Sequence, residues 1–552
     1  MEQVRFIAAI VLCFVLYLAW AYFFVPKPTV PPPGKTAALE AKATSAAIKA
    51  SSTASAITPT TAVATSAAPV QPGRTFVVEA PLYTARFSQA GGKLKELTLK
   101  KFRESIKTDS AYKAMTHLPE GESILNTKFE DGSVPELGSA IFTSQAPDRL
   151  TVTDKPAALV LSWVSPAGVA FEKRYTFHPE NYVIDLDVSV TNRSSVPVSD
   201  SLSVEIKSYM GQPSNYGFEG PLALVKGALE EVKAAKLMKN GPATKTGSVF
   251  WSGLTDRYFL SAVAPTLAQE GSTVFSAEPG PGKLSLVSVR YVNPKANIPV
   301  EATRKYSHRI YMGPKSTDTL KAAGGKFHRA LSFGIWSFIA RPLLYLLDFT
   351  YRFIPNYGIA IMLITLIIKL LFWPLSNKSY KSMAEMKKLT PLMQEIREKY
   401  KDDKKRMNEE VFALYRTYKV NPMSGCLPIL LQIPVFFALW RMLSGAIELR
   451  HAPFWGWVND LSAPDRLMQS LNVPFVEPSG IPVLTLVMGV TMFLQQKMSP
   501  PPGDPMQAKM MMALPIVFTF IFINLPSGLV LYWLVNNVLS IGQQYYIQKK
   551  YS

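Results

Sequence analysis

Residues 357–376 read YGIAIMLITLIIKLLFWPLS, and this stretch decides the fold class. About twenty predominantly apolar residues are what an α-helix needs to cross ~30 Å of hydrocarbon. The only charge in the run is Lys369, some twelve residues in. An ionisable group at that depth costs at least ~2.5 kcal/mol on insertion scales. Two readings are open. Lys369 faces a polar cavity between helices, or its aliphatic stem carries the ammonium to the nearer interface. Thr365, four residues earlier, shares a helix face with Lys369.

Working outward, similar apolar blocks recur at 6–25, 425–443, 481–496, 510–525 and 528–547. The last two are cut from one uncharged stretch by Pro526-Ser527-Gly528, a turn signal. The expectation is six spans, five of them in a C-terminal core of residues 354–552. Residues 1–25 read as an uncleaved anchor in preference to a signal peptide, because no small-x-small cleavage site follows the apolar run. Residues 26–73 are rich in Pro, Ala, Ser and Thr and contain no aromatic residue, the composition of a flexible tether. From 74 to 326 the texture changes to period-two segments such as 75–78, 182–188 and 284–291, broken by Gly, Pro and Asn. That pattern predicts a large antiparallel β-sandwich. Residues 327–353 mix Trp336, Phe338, Leu343, Leu344, Leu346 and Leu347 with Arg329, Arg341, Asp348 and Arg352, which predicts an amphipathic interfacial helix, broken near Pro342.

Loop charge orients the whole. Residues 378–419 are dense in Lys and Arg, whereas 447–480 holds only Arg450 and Arg466 against four acidic residues. The positive-inside rule makes the first loop cytoplasmic, with both termini cytoplasmic and the β-domain on the outer side. Within that loop, Tyr380, Met383 and Met386 recur at helical spacing, as do Tyr415 and Tyr418. The polar turn Lys401-Asp402-Asp403-Lys404 separates the two sets, so 377–420 is expected to form a helical hairpin.

The net charge of +19 over 552 residues fits basic loops facing anionic lipid. The basic residues are dispersed and do not interleave with aromatics, so no specific nucleic-acid sequence is expected as a partner. Cys13 and Cys426 both lie in apolar blocks and read as small hydrophobes. There is no CxxC pair and no HExxH, and the five histidines are scattered, so neither a metal nor a cofactor is expected. Ser424 and Ser527 have no histidine in any span, so no enzyme is expected. Gln432 lies mid-span, and Asn524, Ser527, Asn536 and Asn537 decorate the last two helices. Each alone is interhelical glue; with a cation among them they suggest a wet groove.

Four segments carry a resemblance: 377–386 (NKSYKSMAEM), 419–428 (KVNPMSGCLP), 487–493 (VMGVTMF) and 526–533 (PSGLVLYW). In this order and at these depths they resemble the YidC membrane-insertase family, in its Gram-negative form with a large periplasmic domain. The resemblance implies an inner-membrane insertase and chaperone without covalent chemistry, acting alone or with the Sec translocon. Lys369 matches the groove's cationic position, where familiar members carry Arg, and Lys keeps the charge without Arg's forked hydrogen bonding. Thr365 and Gln432 match polar groove positions, Trp533 an aromatic substrate contact beside Tyr532, and Ile433 and Ile521 the sliding face. Asn524, Ser527 and Asn536 complete the expected groove. Implied partners are nascent membrane proteins, the Sec translocon and its accessory subunits, ribosome–nascent chain complexes and anionic lipids. A Lys-centred secondary transporter and a structural envelope-assembly factor remain the alternatives.

Overall fold

The computed structural model describes residues 73–551 except 117, 120–121, 212–216, 268, 419, 421–426, 469–470, 472–475, 477–478 and 500–504. The expected anchor and nearly all of the tether lie outside the described residues, as do both cysteines.

The alternating segments fold as their periodicity requires. Val183–Asn192 buries every second residue, so one face builds the core and the other meets solvent. The strands form two antiparallel ribbons that meet on the long strand Ala243–Thr255. One ribbon runs through Ala157–Val164, Val169–Phe177, Val183–Asn192, Thr303–Pro314 and Phe259–Pro265 to the second half of that strand. The other runs through Thr75–Glu79, Tyr83–Ser88, Lys93–Arg103, Leu125–Phe129, Leu202–Met210, Ser285–Val292 and Gln269–Pro279 to its first half. The ribbons pack face to face. Phe87 meets Tyr175 with ring centroids 4.7 Å apart, and Phe129 meets Phe171 at 5.7 Å, each pair drawn from opposite ribbons. The expected sandwich is therefore present as a sheet-rich domain whose strands run from Thr75 to Pro314.

Nine helices of the C-terminal region matter for the site. They are α1 (Ser337–Phe353), α2 (Tyr357–Leu371), α3 (Trp373–Lys388), α4 (Thr390–Lys399), α5 (Lys404–Thr417), α6 (Leu427–Gly445), α7 (Val483–Met498), α8 (Pro505–Phe522) and α9 (Ser527–Tyr551). Helix α9 is central, packing on α2, α3, α6 and α7, while α8 packs on α7 and α1 bridges α2 and α6. Among the described residues no single helix is long and apolar enough to cross a membrane, but α2 and α3 together are, bent by 67°.

Two local expectations change. The block expected as one span over 357–376 is cut at Phe372: Pro374, in the first turn of α3, has no N–H to continue the helical ladder, and α3 turns away to pack on α9. Helix α1, in contrast, runs unbroken through Pro342. Only the bond to the Phe338 carbonyl is lost there, and Phe338 is exposed. The expected hairpin divides into a stalk, α3, and the antiparallel pair α4 and α5 around the predicted polar turn.

The sheet domain and the helices are held by reciprocal arginines. Arg257 donates from Nε to the Ser444 carbonyl at 2.6 Å and from Nη2 to the Ser462 carbonyl at 3.2 Å. Arg450 answers from the helical side, donating to the Arg103 carbonyl at 2.6 Å.

Candidate functional site

Helix α2 begins at Asn356, whose side chain accepts from the Ile359 N–H at 3.1 Å and caps the first turn. From there the pattern sorts itself by face. Gly358, Ala360, Ile361, Ile364, Thr365 and Lys369 are buried, while Leu366, Ile367, Leu370 and Leu371 are exposed. The one cation thus turns inward and the large aliphatics outward, the reverse of a helix folded in water. Lys369 is 3% exposed. Its ammonium donates to Ser540 Oγ at 2.6 Å, so of the two readings of this residue the inward one is realised.

Ser540 belongs to a polar face of α9. Asn536, Asn537, Ser540, Gln543 and Gln544 are all buried, and their spacing stacks them on one side of the helix. Each buried polar group must find a partner or leave a debt in desolvation. The Ser540 hydroxyl donates onward to the Asn536 carbonyl at 2.6 Å. Asn537 donates to Thr491 Oγ1 on α7 at 3.2 Å. Gln543 donates to Asn377 Oδ1 on α3 at 2.8 Å. The Tyr380 side chain on α3 hydrogen-bonds Ser540 as well. Lys369, Tyr380 and Asn536 therefore converge on one hydroxyl. Of these partners Ser540, Gln543 and Gln544 were missed from sequence. Their recurrence at four-, seven- and eight-residue intervals from Asn536 was the available signal.

The other expected groove residues scatter. Thr365 is buried beside Lys369 in sequence, but its hydroxyl donates to the Ile361 carbonyl of its own helix at 2.7 Å. Gln432 is half-buried on α6 and Ile433 is exposed next to it. Trp533 sits in an aromatic cluster with Phe436, Phe518 and Phe522, with centroids 5.0–6.2 Å from its own, and its indole N–H has no acceptor among the described residues. Ile521 is exposed on α8, whereas Tyr532 is 2% exposed within the apolar core.

Asn524 and Ser527 belong to a different place, near the sheet domain. Asn524 Oδ1 accepts from Arg466 Nη2 at 2.9 Å, and Arg466 also donates to the Ile523 carbonyl at 2.9 Å. The Ser527 hydroxyl donates to the Asp460 carbonyl at 2.8 Å. Asp465 accepts from Trp457 Nε1 at 2.6 Å and from the backbone N–H groups of Leu484 and Thr485. These bonds knit the loop after α6 across the tips of α7, α8 and α9. Proximity to this loop could not be read from the apolar blocks.

At the opposite end, Tyr380 and Met383 pack on Ile547 of α9, tying the stalk to the bundle. Met386 is half-buried. Tyr415 donates to the Met393 sulfur at 3.5 Å across the α4–α5 pair, and Tyr418 is exposed.

A family model described as the YidC periplasmic domain matches residues 75–346, and one described as the 60Kd inner membrane protein matches 349–552. The membrane protein insertase YidC of Syntrophobacter fumaroxidans is 42% identical over 492 residues, 87% of either chain. The chain belongs to the YidC family of membrane protein insertases. The YidC insertase of Pelobacter propionicus is 39% identical over 99% of both chains. A solved YidC insertase with its first transmembrane segment resolved aligns over 86% of this chain and 93% of its own, at 20% identity and a TM-score of 0.39. With YidC relatives covering nearly the whole length, neither the transporter nor the assembly-factor alternative is supported.

Proposed function

We propose that this chain moves hydrophobic segments of newly made proteins from the cytoplasm into the inner membrane through the polar cleft between α2, α3, α7 and α9. Family membership supports insertion as the activity. The observation that carries the mechanism is Lys369, buried against Ser540 inside helices whose outward faces are apolar.

Physically, the barrier to moving a polar tail across a bilayer is the desolvation of its backbone and side chains. A hydrated cleft with a fixed cation lets the tail exchange bulk water for protein and water partners over part of the way. The remaining distance is short, because α7 has 16 residues and spans about 24 Å, less than the ~30 Å of a typical hydrocarbon core. The apolar part of the client meanwhile has the exposed aliphatic surface of α6 and α8, including Ile433 and Ile521, to slide against.

The topology that goes with this reading has six spans, with the first in the N-terminal anchor. Both termini and the α4–α5 hairpin are cytoplasmic and the sheet domain is periplasmic. The basic loop 378–419 supports that orientation. Clients arrive at the hairpin, from ribosome–nascent chain complexes or from the Sec translocon, and the basic loops lie against anionic lipid.

The test is depletion of the chain in cells lacking other insertases, following small one- and two-span proteins. A Lys369→Ala variant is expected to leave them uninserted. Full rescue by that variant would sink the cleft mechanism.

A further inference from the structure

Gln544 stands out among the described residues of the bundle. It is 1% exposed, and neither Nε2 nor Oε1 has a hydrogen-bond partner among those residues. A buried primary amide with both ends unpaired is rare and costly, and a native site that keeps one has a use for it. Its position narrows that use. Gln544 lies one turn beyond Ser540, hence about 6 Å from the Lys369 anchor along α9, on the side of the hairpin stalk. It shares its face with Asn537, bonded to α7, and Ile547, packed on Tyr380 and Met383 of α3. Beside it, Gln543 has its Nε2 on Asn377 while its Oε1 is unpartnered among the described residues. The unpaired polarity thus lies between the stalk and Lys369, where a segment passing from one to the other must travel.

A neutral amide offers two donors and an acceptor oxygen in one plane. That is complementary to an extended peptide, which presents N–H and C=O groups and no net charge. Lys369 is selective for acceptors and anions; Gln544 is indifferent to side-chain charge. We propose that Gln544 is a polypeptide-contact residue that pairs with the backbone of the client's polar tail on its way to Lys369. This rests on the cleft reading above and adds a substrate-binding position to it.

Replacing Gln544 by leucine removes two unsatisfied groups at similar volume, a change that is neutral or stabilising when the group has no structural partner. The two roles therefore predict opposite stability changes. The experiment compares the full chain, Gln544→Leu and Lys369→Ala in vesicles, using single-span reporters with long and short uncharged polar tails. Thermal midpoints are read in parallel. Gln544→Leu is expected to keep or raise the midpoint and to slow the long-tailed reporter about tenfold, ~1.4 kcal/mol or one net hydrogen bond. The short-tailed reporter slows much less. A lowered midpoint would make Gln544 a structural residue and overturn the proposal. Wild-type rates with Gln544→Leu but slow insertion with Lys369→Ala would overturn it and leave the cleft standing. Wild-type rates with both variants would remove the cleft, and this inference with it. Gln544→Cys, in a chain with Cys13 and Cys426 changed to Ala, should form a disulfide with a cysteine in the tail of an arrested reporter. Failure to cross-link counts against contact.

Discussion

Removing the Ser540 hydroxyl isolates the contribution of the Lys369 anchor. Lys369 is almost fully buried and donates to Ser540 Oγ at 2.6 Å, with no carboxylate paired to it among the described residues. Ser540→Ala creates almost no cavity but leaves an ammonium short of its acceptor. A hydrogen bond to a charged group is worth about 1.5–3 kcal/mol. For a helical core of this size, 1 kcal/mol moves the thermal midpoint by roughly 2–4 °C, so a fall of about 3–12 °C is expected. Ser540 also donates to the Asn536 carbonyl and bonds Tyr380, and those losses must be separated. A double-mutant cycle with Lys369→Met does so, because both neutral bonds are lost in either background. In the Met background Ser540→Ala should cost less than it does beside Lys369, by the about 1.5–3 kcal/mol of the charged bond. The assay is thermal unfolding of the detergent-solubilised chain at a fixed scan rate. Equal shifts in the two backgrounds would refute the pairing and mean that water, not Ser540, carries the charge.

Other outcomes follow from single contacts. A Cβ on Gly489 would overlap Thr519 Oγ1, so Gly489→Ala should lower the thermal midpoint through ~1–3 kcal/mol of overpacking between α7 and α8, and Thr519→Ala should relieve it. In the sheet domain, Lys173 is buried with its ammonium 2.6 Å from the Gly91 carbonyl and 4.7 Å from the Phe142 ring centre. Burial, and secondarily the charge of Lys93, pushes its pKa down from 10.5 to about 7. The folded chain then binds fewer protons than the unfolded chain between those values. Stability therefore rises as pH goes from about 7 toward 10.5, and the Lys173→Met variant should lose that component of the slope in unfolding midpoints measured against pH. Arg257→Ala removes the donors to Ser444 and Ser462, and hydrogen exchange should accelerate over 444–462 while the sheet strands keep their protection. Unchanged exchange there would place the seam's strength elsewhere.

What was legible in the sequence is what short-range pattern encodes. Period-two apolarity marked Ser285–Val292 to within a residue and the start of Val183–Asn192, whose last four residues it missed, and Pro526-Ser527-Gly528 marked the boundary between α8 and α9. Lys369 stood out because a charge in an apolar run is an energetic anomaly whatever surrounds it. The misjudged prolines show the limit. Pro374 and Pro342 offer the same local chemistry, yet the chain turns at the first and runs straight through the second. Only the packing of α3 against α9, and the exposure of Phe338, distinguish them. Gln543 and Gln544 were overlooked for a related reason. Near the end of an apolar block, glutamines read as the solvated terminus of a helix, and only the stalk folding back onto α9 buries them.

The same contrast explains why Asn524 and Ser527 part company with Lys369 although all three were expected to line one groove. Near the sheet domain, Arg466, Asp465, Asn524 and Ser527 bond among themselves and to backbone carbonyls and amides, so these four side chains are satisfied at the helix tips, although the Thr485 hydroxyl beside them is not. Toward the stalk, Gln543 keeps an unpartnered oxygen and Gln544 an unpartnered amide. Satisfied polar networks rigidify, whereas unsatisfied ones invite water or a ligand. On the cleft mechanism proposed above, a polar tail entering beside the stalk finds partners at Gln543, Gln544 and Lys369. Arg257 ties the loop bonded across the helix tips to the sheet domain at Ser462, so the satisfied end is also the anchored one.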